Sequence, residues 1–193
     1  MGHAMKLVIL DRDGTINHDS DDFIKSPEEW EPIPGALAAI AKLNHAGWHV
    51  VVATNQSGLG RGLFDVASLN AMHAKMHTML AAVGGRVDAI FYCPHAPDEG
   101  CRCRKPEPGL FEQIGERYGI SLDGVPAVGD APRDLVSAVT AGCEPHLVLT
   151  GKAAISVMSG GKPNSFNVRF TDVWQNQGGT WRMVTWQSTR LAD

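Results

Sequence analysis

Two carboxylates stand two residues apart where an apolar run ends, Asp11 and Asp13 in LVILDRDGTIN. In extended chain, residues i and i+2 face the same side, so both can address one site. Their repulsion falls if a divalent cation sits between them and takes oxygen ligands. A carboxylate so placed can also attack phosphorus and form an aspartyl-phosphate. The second acid can then protonate the leaving alkoxide and later deprotonate the hydrolytic water. Alone, such a pair would be a solvated strand end. Three further residues change that reading. Thr54, in ATNQSG, ends a second apolar run, where its hydroxyl and the following backbone N–H groups can hold phosphate oxygens. Lys105, in CRCRKPEPG, offers a cation to a phosphoryl group, and Asp130, in AVGDAPRD, could complete a Mg²⁺ site with Asp11 and Asp13.

A second constellation lies in YCPHAPDEGCRCRKPEPG. Cys93, His95, Cys101 and Cys103 can supply four soft ligands within one short loop, a set suited to tetrahedral Zn²⁺. All four positions are protein ligands, so such a site would be structural. Without an export signal, clustered cysteines point to metal rather than disulfides, and to a cytoplasmic protein. Cys143 stands apart and reads as a small core residue. Of the eight histidines only His95 has ligand company, although His18 lies close to Asp13 in the chain.

The elements that must carry these residues are legible in the apolar pattern. Runs at 7–10, 49–53, 88–92, 125–128 and 146–150 have strand length without strict alternation, as expected of strands buried on both faces. Between them lie helical repeats: one opened by Pro34-Gly35, one capped by Asp65, one opened by Pro108 and one starting at Pro132. The Met and Leu stripe on residues 69–80 has the spacing of a helix burying one face. This alternation predicts an α/β fold, a doubly wound Rossmannoid parallel sheet with ligands at the strands' carboxyl ends. Each chemical residue above falls at such an end or just before a helix.

In a chain of 193 residues with net charge −4, no broad basic surface is expected for nucleic acid or an anionic membrane. A phosphorylated ligand would have to be held by locally placed donors. No apolar run reaches the length of a membrane span. Met1 to Ala4, ahead of a second Met5, reads as an expression remnant. After Thr150 the βα rhythm stops. Residues 151–193 are rich in Gly, Asn, Gln and Thr and contain Trp174, Trp181 and Trp186, with FNVRFTDVW, QNQGG and TWRMVTWQS reading as a β-hairpin. The expectation is a phosphatase domain over residues 6–150 and a C-terminal hairpin tail over 151–193. An isolated hairpin is marginal, so its apolar residues should be covered by the domain, by a sheet edge or by a second chain. A monomer, or a dimer through that tail, follows.

Together the motifs resemble the haloacid dehalogenase superfamily of phosphohydrolases over residues 6–150. By that resemblance Asp11 is the nucleophile, Asp13 the acid/base, Thr54 and Lys105 hold the phosphoryl group, and Asp130 binds Mg²⁺ with Asp134 in support. The loop before Arg104-Lys105, with TNQSG and LTGK, is similar to the branch of heptose-bisphosphate and histidinol-phosphate phosphatases, most of all to the heptose enzymes. Arg104 then recognises the second phosphate or hydroxyls of a small phosphorylated sugar, while Asn55, Gln56 and the Asp19 to Asp22 stretch, Asp19 and Asp22 above all, line its pocket. The interval from Asp11 to Thr54 leaves no room for a large cap. Ala131, following Asp130, departs from the polar or basic residue common in the heptose enzymes. The tail resembles the end of a nuclear-transport-factor-2-like domain, as in a composite chain. The rival readings are a histidinol-phosphate phosphatase, a phosphotransferase and a zinc-stabilised phosphate-binding module without turnover.

Overall fold

The structure is a computed structural model that describes residues 5–159 and 162–191. The opening tetrapeptide, read above as an expression remnant, lies outside the described residues. The chain divides into two compact units, Met1–Pro145 and His146–Asp193.

In the first unit the strands are β1 (Leu7–Leu10), β2 (His49–Asn55), β3 (Ala89–Cys93) and β4 (Pro126–Gly129). They lie in the order β3-β2-β1-β4, and every pairing is parallel. The helices are α1 (Ala36–His45), the single turn α2 (Ser57–Gly60), α3 (Val66–Ala82), α4 (Gly109–Tyr118) and α5 (Pro132–Thr140). Alternate strand residues serve opposite faces, the two-residue period of extended chain. Val8, Leu10, Val50 and Val52 pack with Ile40 of α1 and with Leu69, Met72 and Met76 of α3. Leu7, Ile9, Val51 and Ala53 pack with Leu110, Phe111 and Ile114 of α4 and Ala138 of α5. Burial on both faces explains why the runs lack alternation.

Helix ends follow the local chemistry. The Asp65 carboxylate accepts from Ser68 N–H at 2.8 Å and starts α3. Gly119 takes the left-handed conformation, φ 64°, that closes α4. At α5, Asp134 reaches back to the Ala131 N–H at 3.1 Å, which is half of a capping box.

The stretch between β1 and α1 contains only isolated bridges, Asp13 with Asn17 and Asn17 with Pro32, and no cap domain among the described residues. It is held down by Trp30, fully buried in the core of the α1/α3 face. Burying so large a side chain contributes at least about 1.5–3 kcal/mol, enough to order the few residues around it. Lys75 of α3 adds two bonds, to the carbonyls of Pro27 and Trp30 at 2.6 and 2.7 Å. No helix among the described residues is long and apolar enough to cross a membrane.

The second unit is an antiparallel meander. The run expected at 146–150 is part of a longer strand, β5 (Glu144–Ser159), which pairs with β6 (Lys162–Gln177); β6 pairs with β7 (Thr180–Arg190) across a turn at Gly178-Gly179. The expected hairpin is therefore β6–β7, and residues 151–159, which lack a clear apolar period, extend the strand before it. Val168 is buried, and Trp181, Met183, Val184 and Trp186 are 36–53 % exposed in the single chain.

Candidate active site

Asp11 leaves β1 and its N–H donates to the Val128 carbonyl of β4 at 2.8 Å, which sets it at the carboxyl end of two neighbouring strands. Its Oδ1 accepts from the Arg12 N–H at 2.7 Å and meets Lys105 Nζ at 2.9 Å. Both contacts fall on Oδ1, so Oδ2 is the oxygen without a hydrogen bond among the described residues. Burial pushes the Asp11 carboxyl up to about 7; Lys105 opposes that, while Asp134 and Asp13 add to it. Lys105 is itself buried and spans Asp11, Asp134 Oδ1 at 2.5 Å and the Ala53 carbonyl at 2.8 Å. Burial alone would lower its pKa, but the two carboxylates outweigh it and hold the ammonium above its ordinary value.

The carboxylates that converge are Asp11, Asp130 and Asp134. Asp130 Oδ1 is buried with no partner, and burial, with Asp134 beside it, raises the carboxyl to about 6. Gly14, at φ +77°, leaves the space that the Asp130 carboxylate fills; a Cβ there would collide with it. An orphaned buried oxygen within an acidic triplet fits a hard divalent cation. The expected set was Asp11, Asp13 and Asp130. Here the Asp13 carboxylate stands outside the triplet, taken up by Arg12 Nε and Nη2 at 3.0 Å each, Asn17 Nδ2 at 2.8 Å and Gln56 Nε2 at 2.9 Å. Four donors on a short reach from the backbone leave it no freedom to join the others.

Asp11 and Asp13 open onto a cleft of about 240 Å³ that is also lined by Asp19, Phe23, Thr54, Asn55, Gln56 and three guanidinium groups, Arg61, Arg104 and Arg133. Of the expected pocket residues, Asp22 does not line it, because Asp22 sits in an exposed turn. Asn55 and Gln56 face the cleft, but their amides are largely engaged. Asn55 accepts from Lys105 N–H and donates to the Lys105 carbonyl, at 3.0 Å each. Gln56 Nε2 donates to Thr54 Oγ1 at 2.9 Å, which frees the threonine proton to point elsewhere.

Next to this floor the four soft donors of the loop meet. Cys93, His95, Cys101 and Cys103 lie 3.1–3.5 Å apart between the hydrogen-bonding pairs that link them. Four ligands around one zinc ion stand about 3.5–3.8 Å apart, so the cluster is close to that size. Arg104 Nη1 donates to the His95 carbonyl at 3.3 Å, which ties it to the same loop.

A family model described as HAD-hydrolase-like matches residues 102–169. The D-glycero-β-D-manno-heptose-1,7-bisphosphate 7-phosphatase of Bordetella bronchiseptica is 60 % identical over 164 residues, covering 85 % of this chain and 92 % of that protein. The chain belongs to the heptose-bisphosphate 7-phosphatase family of haloacid dehalogenase-like hydrolases. The family member of the same name from Pseudomonas aeruginosa is 56 % identical, over 83 % of this chain and 88 % of its own. Among solved structures of the family, the B. bronchiseptica D,D-heptose 1,7-bisphosphate phosphatase, complexed with magnesium and phosphate, superposes with a TM-score of 0.73. It is 64 % identical and the match covers 73 % of this chain and 79 % of that one.

Two residues of this family member escaped the sequence reading. Arg12 is wholly buried between the two aspartates, and His73 of α3 lies against it. Burial, Arg12 and His77 hold His73 down to about 4, below the ordinary 6.5. The unfolded chain therefore binds a proton that the folded state refuses. Stability is present in full above about pH 6.5 and is lost as the pH falls towards 4, by on the order of 3 kcal/mol. Melting curves from pH 7.5 to 4.5 should fall more steeply for the parent than for His73→Gln. Parallel pH dependences would assign the acid sensitivity to other groups.

Proposed function

We propose that the protein is a cytoplasmic, Mg²⁺-dependent phosphatase that removes the 7-phosphate of D-glycero-D-manno-heptose 1,7-bisphosphate. The observation that carries the reading is one small cleft lined both by Asp11 and Asp13 and by three guanidinium groups. Asp11 Oδ2 attacks phosphorus, the bond from phosphorus to the sugar oxygen breaks, and Asp13, protonated in place of one of its four hydrogen bonds, gives that proton to the oxygen. Water then attacks the aspartyl-phosphate while Asp13 takes its proton, and inorganic phosphate leaves. Thr54 and the backbone N–H groups after it hold the phosphoryl oxygens, and Lys105 favours the ionised form of Asp11 against its burial. Asp11 and Asp130 would hold Mg²⁺, with Asp134 beside them, and the ion would neutralise charge that gathers on the phosphoryl oxygens.

Substrate choice follows from the guanidinium groups. Arg104, Arg61 and Arg133 favour a second phosphate and disfavour the ammonium of histidinol phosphate. Arg133 also supplies, two residues on, the basic group missing at Ala131. A substrate panel read by phosphorus NMR should show loss of the 7-phosphate signal with the anomeric phosphate retained, and slow release from histidinol phosphate. Faster turnover of histidinol phosphate would reverse the assignment.

Zn²⁺ on Cys93, His95, Cys101 and Cys103 would fix the loop that carries Arg104 and Lys105. Metal analysis should find about one zinc per chain. Cys101→Ser should lower zinc content and raise KM for the bisphosphate more than it lowers kcat. A zinc-free protein with parental KM would make the cluster incidental to function.

A further inference from the structure

Arg12 is a cation with no exposure to solvent, and such a group persists only where its donors are taken. Nε and Nη2 grip the Asp13 carboxylate, and Nη2 also donates to Gln56 Oε1 at 3.0 Å. The remaining terminal nitrogen, Nη1, faces His73 Nε2 at 3.3 Å. A guanidinium has only N–H groups to offer, so Nε2 accepts and the ring proton sits on Nδ1. The ring is held in place by α3, where His73 is buried in the middle of the helix and tilted against Tyr92 at a centroid distance of 6.5 Å. It does not line the cleft.

We propose that His73 is a positioning residue: through Arg12 it fixes the plane of the Asp13 carboxylate against the cleft. A bidentate fork dictates the orientation of the carboxylate it binds. The fork in turn is only as fixed as its other edge, and His73 is the group on that edge. Gln56 extends the brace, because it binds Arg12, Asp13 and Thr54 together. A rigid element behind the sheet face thereby sets the angle at which Asp13 meets the departing oxygen. The proposal rests on the reading of Asp13 as the acid for that oxygen.

That role gives a readout that general loosening of the fold would not move. Protonation matters for a poor leaving group such as the primary alkoxide of a hexose 6-phosphate, and little for p-nitrophenolate. kcat/KM includes departure of the leaving group, so the ratio of the two substrates isolates the effect. His73→Leu, which removes the acceptor, should lose about tenfold on the alkyl phosphate, part of the 10²–10⁴-fold that acid–base help supplies. It should lose under about threefold on p-nitrophenyl phosphate, and His73→Gln, which keeps an acceptor, should restore the ratio. Asp13→Asn, measured beside it, should show the same bias more strongly. Equal losses for Asp13→Asn overturn the acid assignment and the proposal with it. A biased Asp13→Asn with an unbiased, folded His73→Leu overturns the proposal alone. If His73→Leu does not fold, Arg12→Lys, which keeps the charge but not the fork, is judged by the same ratio, and an unbiased result for it likewise overturns the proposal.

Discussion

Asp11→Asn should abolish turnover, by roughly 10⁴-fold or more, the scale seen when a nucleophile is removed, and should melt no lower than the parent. The amide oxygen can still accept from the Arg12 N–H and from Lys105, which now contact Oδ1. What the change removes is a buried negative charge that burial has already pushed to a pKa of about 7. Ionising such a group works against the folded state, so a neutral replacement relieves it. Inactivity with undiminished stability is the signature of a residue kept for chemistry. A folded Asp11→Asn with appreciable phosphatase activity would exclude Asp11 as the attacking group.

Lys105→Met should fail in both respects. The ammonium is 1 % exposed and lies between Asp11 and Asp134, at 2.9 and 2.5 Å. Methionine fills a similar volume but leaves two carboxylates facing one another without a cation. Removing one member of a buried ionic group costs about 3–5 kcal/mol. The loss should be visible as a lower midpoint in urea unfolding. Activity should fall with it, because Asp11 without Lys105 ionises less readily at neutral pH. Adding Asp134→Asn to Lys105→Met should recover part of the stability and none of the activity. If Lys105→Met unfolds at the parental midpoint, the three groups are not the coupled unit their distances describe.

Most of what could be read in the sequence has a local cause. Strands buried on both faces advertise themselves as unbroken apolar runs, and Asp65, Pro108 and Pro132 mark helix starts by local chemistry alone. The Cys and His loop is close in sequence, so its convergence was visible before folding. Arg12 was not visible, because a charge between two aspartates looks solvated until α3 is laid over it. Asn55 and Gln56 line the cleft as expected, but the partners of their amides were hidden for a related reason. Their amides bind Lys105, Asp13 and Thr54, partners whose proximity comes only from the sheet order. Asp130 and Asp134 show the same dependence: spacing placed both near the site, but only the packing of Asp130 against Gly14 selects the triplet. Beyond Thr150 the strand was lost where small and polar residues replaced the apolar period, although β-pairing with β6 carries it on to Ser159.

The most direct measurement is capture of the covalent intermediate. Protein mixed with a ³²P-labelled substrate in Mg²⁺ and quenched in acid within milliseconds should carry acid-stable, hydroxylamine-labile label, mapped to the peptide that contains Asp11. Asp11→Asn should carry none, and Asp13→Asn should retain label for longer, since the water that releases it lacks its base. Rapid phosphate release with no labelled protein, or label on any residue other than Asp11, would contradict an aspartyl-phosphate route at this site.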